Sequence, residues 1–402
     1  MKTVVSRIRV SVPFLALACG LAFTPLSASA LPQEAPSPDS EAQPFAALPI
    51  QTDALDTTSV AVNDERFSIF TPTKSPVRHR IAYDIWDFAL KSLVISMGPS
   101  TRQSARPPRP PVGTRIRQGH NSRYRLEGSM LGFSFLDQRA IASFGEYRRE
   151  LEQVAETLDI SSLPRNEQLA CWYNLHNVAM VEKIAENWPG RQPRTFELDG
   201  VPLNDARFLN IRGVSMSLRD IRENIVYANW RDPRVIYGFW LGEIGSPALE
   251  RNAFTGANVN SLLSFKAEDF VNSLRGTQKR GKTLEVATFF EEESRIYFPD
   301  FEPDLRAHIA QFAKEDVLKI LKKTQQVNAS IREWDIADLS GGRRSSIANP
   351  NADARVGFAV GVRLRQRGRK LDLRRRREER TGRVFFTDIE LPGQDPNAGQ
   401  VE

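Results

Sequence analysis

The chain has two cysteines among its 402 residues, and the first, Cys19, lies in a segment that reads as removable. Cys171 is then alone, which excludes an intramolecular disulfide and leaves stability to an ordinary packed core. Histidine is scarce too. His79, His120, His176 and His308 show neither the close spacing of a metal pair nor a cysteine cluster, so no metal is expected and no cofactor motif accompanies them. The sequence lacks a serine nucleophile elbow, a phosphate loop and a dinucleotide fingerprint, which removes the hydrolase and nucleotide-binding classes those motifs announce. After residue 30 no apolar run reaches the ~20 residues of a membrane span, and no internal repeat is visible.

What is present begins at the amino terminus. Lys2, Arg7 and Arg9 precede an apolar run over 10–23 that is interrupted by Pro13 and Gly20, and Ala28, Ser29 and Ala30 follow. This basic, apolar and small-residue order is that of a cleavable secretory signal. Cleavage is expected after Ala30, giving a periplasmic or secreted product. A lipid-attachment reading would use Cys19, but the leucine it needs three positions earlier is Ala16.

Removing the signal lowers the formal net charge from +6 to +3, and what remains is unevenly spread. Residues 341–383 hold fourteen Lys or Arg against four acids, a local net charge of +10, whereas 384–402 is net −4 and 31–340 is net −3. Such asymmetry points to a partner. Phosphates of an anionic envelope surface suit an exported protein, while export and the lack of a recognisable nucleic-acid fold motif argue against DNA or RNA. The bland alternative is a solvated arginine face.

Residues 31–76 are rich in Pro, Ala, Ser and Thr, a composition that buries too little apolar surface to order itself, and read as a disordered leader. Helical spacing appears over 77–97, 137–158 and 165–187, and 217–228 reads as a short capped helix. The third of these is unusual: residues 169–181, LACWYNLHNVAMV, carry no charge on any face, which predicts a helix buried all round. TFELDGVPLN predicts a hairpin, 234–241 a strand, and 258–323 mostly helix broken around 276–283. The expected class is α+β, a largely helical core domain over 77–330 with a small mixed sheet, followed by a basic tail over 331–402 in which 358–364 and 384–389 alternate like a hairpin.

Asn174 and Asn177, three apart, share a helix face, and buried amides are usually satisfied structurally, so tying neighbouring loops to the helix is favoured over ligand binding. His176 faces Leu169, Tyr173 and Met180, as a core histidine would. Cys171 and His176 are five apart, on different faces, and cannot form a thiolate–imidazole pair within the helix. His120 is of more interest, since it lies in GHNSRYRLEG, where arginines and Glu127 could line an anionic pocket. The plainer alternative is a surface turn.

The stretches NEQLACWYNLHNVAM, SMSLRDIRENIV, DPRVIYGFWLGEIGSPAL and NAFTGANVNSLL resemble, in order and spacing, the domain of unknown function 547 (DUF547) family over about 128–312. Trp172, Asn174, Asn177, Asp232, Pro233 and Arg234 stand at positions matching its motifs. The family's third motif typically has a histidine, an asparagine and two cysteines. These fall on Ile236, Trp240, Leu241 and Ser246, and the acid and histidine of its second motif on Arg222 and Glu223. The resemblance therefore implies a fold and withholds any thiol or metal chemistry. Two functions stay open: a non-catalytic envelope binding protein, or a hydrolase-like enzyme built from the 115–127 and 240–249 loops with His120, Arg123, Glu127, Glu243 and Ser246. Convergence of those five in one pocket would favour the enzyme.

Overall fold

The computed structural model describes residues 7–9, 64–106 apart from 75 and 78, and 120–343. The uncharged stretch becomes the helix Arg165–Asn187, and every residue from Glu167 to Glu182 is buried. A helix without a polar face must be enclosed, and the rest of the body is arranged around it. Gln138–Thr157 packs alongside, opened by Asp137, whose carboxylate accepts from the Ala140 amide at 2.7 Å. Arg148 joins the two helices by a buried ion pair to Glu182, Nε to Oε2 at 2.5 Å. Asp84–Leu93 covers another side, with Trp86 stacked on Tyr147 at 6.3 Å between ring centroids.

The fold is α+β. Its one three-stranded sheet among the described residues is mixed: Thr277–Arg280 and Thr283–Ala287 form a hairpin turning at Gly281, and Gln326–Ile331 lies parallel to the middle strand. A parallel neighbour needs a crossover, which the helices Thr288–Glu292, Ser294–Tyr297, Phe301–Phe312 and Glu315–Lys323 supply. TFELDGVPLN forms its hairpin, Glu197–Leu198 against Val201–Pro202. Asp199 and Gly200 both take the positive φ that a two-residue turn requires.

Four expectations need correction. The predicted strand over 234–241 is instead the 3-10 turn Pro233–Gly238, because Pro233 starts it and the Asp232 carboxylate caps the Arg234 amide at 2.9 Å. Gly238 permits this turn to sit on the central helix, since a Cβ there would lie 2.1 Å from the Tyr173 ring. The helix expected over 77–97 is confined to Asp84–Leu93, with Arg80–Ala82 and Val94–Ser96 extended on either side. The leader boundary at 76 lies too late: Phe67 and Phe70 of Glu65–Phe70 are buried in the core. The tail boundary at 331 lies too early, because Ile331, Ile336 and Leu339 also belong to the core. The hairpin expected at 358–389 falls outside the described residues. The capped helix is present but changes pitch, running as Leu218–Asp220 and then as a π-helix over Ile221–Tyr227.

Candidate functional site

The five candidate residues fall into two groups, and each is held by bonds to the protein itself. His120 is buried, with Nδ1 accepting from the Ser122 amide at 3.0 Å, so Nε2 carries the proton that it donates to the Ile336 carbonyl at 2.9 Å. Glu127, also buried, accepts from the Leu274 and Arg275 amides, both at 3.0 Å, and from the Ser100 hydroxyl. Arg123 donates to Gln278 Oε1 at 3.1 Å and lies over the Tyr124 ring. These three fasten the 120–127 segment to the sheet hairpin and to the stretch after Ile331. Residues 115–119 of the same loop lie outside the described residues.

Glu243 and Ser246 form the second group. The Ser246 hydroxyl donates to the Glu243 carbonyl at 2.9 Å, and no histidine bonds it to act as a base. The Glu243 carboxylate receives a two-pronged bond from Arg194, Nε to Oε1 and Nη2 to Oε2, each at 2.6 Å. Burial pushes its carboxyl up to about 7 against the pull of that arginine. Glu243, Ser246, Glu292, Glu333 and Trp334 line a cavity of about 10 Å³, which is room for roughly one water.

The two groups are connected rather than merged. Ser122 donates to Glu333 Oε2 at 2.8 Å, the Gly245 amide donates to the Glu333 carbonyl at 2.8 Å, and the Ile244 amide to the Asp335 carbonyl at 2.9 Å. Arg275 adds a second link. Its amide is held by Glu127 while its guanidinium donates to the Ile244 and Ser246 carbonyls. The loops that a catalytic reading would bring together therefore both bond a common strip, residues 333–338. Arg194, Glu292, Glu333 and Trp334 carried no signal in the sequence, because their side-chain partners are 49 or more residues away.

The motif asparagines of the central helix bond the backbone of neighbouring loops. Asn174 pairs both amide atoms with the backbone of Phe254, donating to its carbonyl at 2.7 Å and accepting from its amide at 3.1 Å. Asn177 donates to the Gly238 carbonyl at 3.1 Å and accepts from the Trp240 amide at 2.9 Å. His176 receives Arg222 Nη1 on Nε2 at 3.0 Å, which leaves Nδ1 to donate to Asn177 Oδ1 at 3.2 Å. Burial and the adjacent Arg222 hold this imidazole neutral, its pKa well below the usual range. Arg222 thus occupies, with Asn204 as its other acceptor at 3.1 Å, the place where the resemblance would set an acid. Asp232 and Arg234 bond each other, and Arg234 reaches Ser264. Burial pushes the Cys171 thiol up to about 12, which keeps it protonated at neutral pH. Among the described residues no group of His, Cys, Asp and Glu has the arrangement of a metal site.

An α+β body wrapped around a helix whose central stretch 169–181 is uncharged, its motif amides spent on two loops, is thus the class of protein defined by fold and site. Residues 160–271 match the family described as "Protein of unknown function, DUF547". The match takes in the central helix, the π-helix and the turn at 233–238, and ends with the helix Val259–Val271. No curated protein and no solved structure matches the chain. Among the described residues no helix is long and apolar enough to cross a membrane.

Proposed function

We propose that this chain is an exported, non-catalytic binding protein whose folded body carries an arginine-rich segment to an anionic surface of the cell envelope. The observation that carries this reading is the segregation of charge: 341–383 is net +10 while 31–340 is net −3. Arginine forks match phosphate oxygens in pairs, and each basic residue near an anionic membrane contributes about 1 kcal/mol of attraction. The enzymatic alternative needs residues free to act. His120, Glu127 and Ser246 use their polar atoms internally, which supports the binding reading.

Where the body ends bears on the test. Gly342 donates its amide to Asp338 Oδ2 at 2.9 Å and has φ +69°, and a Cβ there would lie 1.9 Å from the Gly190 carbonyl oxygen. A truncation should therefore follow Arg343 and leave this seat intact. The full chain is expected to sediment with phosphatidylglycerol vesicles at low salt and to be released by salt, since exposed charges are screened over ~10 Å at 0.1 M. The truncated chain should not sediment. Equal binding by both would reject the role of the tail. Export is tested separately: the processed product should begin at Leu31, and an intact Met1 on exported protein would count against a cleaved signal.

A further inference from the structure

We propose that Arg194 is a proton-operated latch over the Glu243 cavity, shut by the ionised carboxylate and released when that carboxyl is protonated. The geometry is asymmetric. The Glu243 side chain is 4% exposed, whereas that of Arg194 is 30% exposed and reaches the surface. In the closed arrangement Arg194 makes its two 2.6 Å bonds to Glu243, lies 4.4 Å from the centroid of the Trp334 ring, and reaches Glu292 Oε1 at 3.5 Å. Behind it lies the cavity that Glu243, Ser246, Thr288 and Trp334 line.

The charged groups around Glu243 set the direction. Glu292, from the helix Thr288–Glu292, and Glu333, from the 333–338 strip, both raise its pKa, and Arg194 is the one cation paired with it among the described residues. Arg191, on the neighbouring turn, is engaged by Asp335, Nε to Oδ1 at 3.0 Å. With burial the largest influence, Glu243 changes charge at about 7. Above that pH the buried anion is stabilised chiefly by the guanidinium and holds it. Below it the carboxyl is neutral, the bonds lose their charge assistance, and the hydrated position outside becomes the better one for an ion as soluble as guanidinium. When Arg194 leaves, the Trp334 ring face and the cavity meet solvent.

Trp334 provides the readout, obtained as the difference in fluorescence between the full chain and its Trp334→Phe variant. As pH falls from 8 to 6 the Trp334 emission should shift to the red and its quenching by acrylamide should rise, with a midpoint at about 7 and no change in far-ultraviolet circular dichroism. Glu243→Gln should show the open signal at both pH values. Arg194→Gln, a change at a partly exposed side chain, should do the same and serves if the buried variant does not fold. A Trp334 signal that is flat with pH, or that titrates alike in the full chain and in Arg194→Gln, would overturn the latch.

Discussion

Replacing Trp172 by alanine is expected to destabilise the fold by about 3 to 5 kcal/mol, the range for emptying a large buried site. Trp172 is 0% exposed, at the middle of the enclosed helix, and Phe70 meets it edge-on at 5.2 Å. Its indole N–H has no acceptor among the described residues, so the loss comes from packing and transfer rather than from a broken hydrogen bond. Phe70 belongs to the segment Glu65–Phe70, so the cavity also loosens the place where the start of the body is pinned to the core. The urea midpoint should fall with little change in the slope of the transition. Trp172→Phe, which refills most of the volume, should recover much of the loss; an unchanged midpoint for the alanine variant would show that the helix centre is not enclosed.

The second large effect is expected at Glu293, through its response to pH. Burial raises its carboxyl from 4.5 to about 7, with Arg222 and Tyr227 pulling it down and Glu223 and Glu292 pushing it up. A carboxyl with a raised folded-state pKa favours the folded state while it is protonated. That contribution is whole below about 4.5 and is lost progressively as the pH rises to about 7. Glu293→Gln keeps the shape and removes the titration. Relative to the unsubstituted chain, the variant should gain about 3 kcal/mol of stability between pH 4 and pH 8. Denaturant titrations of both proteins across that range give the difference directly, and a difference that does not vary with pH would refute the assignment.

The parts of this fold that could be read in the sequence are those whose signal is local. LACWYNLHNVAMV has no charged position, so its enclosure follows from composition, and the bounds 165–187 follow from the helical spacing and the Trp188, Pro189, Gly190 stop. The Asp199–Gly200 turn is equally local. VIYGFWL misled because a short apolar run looks the same as strand or as buried turn. Its conformation is set by Asp232 and Pro233 just before it and by the missing side chain of Gly238. Gln326–Ile331, QVNASI, alternates polar and apolar residues as a half-buried strand does, a signal masked by the helical spacing that dominates the residues before it, and it pairs with the edge that Thr283–Ala287 offers. The cavity was the least legible part. Glu243 was named as a candidate, yet what surrounds it comes from residues 194, 292, 333 and 334, and nothing local in the chain announces pairings over such distances. His120 and Glu127 were conspicuous as polar residues in a loop, and their bonds to Ile336, Leu274 and Arg275 arise only after folding.

Asn174 and Asn177 each imitate a backbone. Each offers one donor and one acceptor to a passing chain, as a neighbouring strand would, and so each selects a loop that presents the complementary pair. A tryptophan followed at two and five positions by asparagine on an uncharged helical stretch is, in this light, an address for parking two loops. Any other chain bearing that address is expected to park its loops in the same berths whatever reaction it performs, so resemblance through this motif sorts proteins by shape and leaves their chemistry to be read elsewhere.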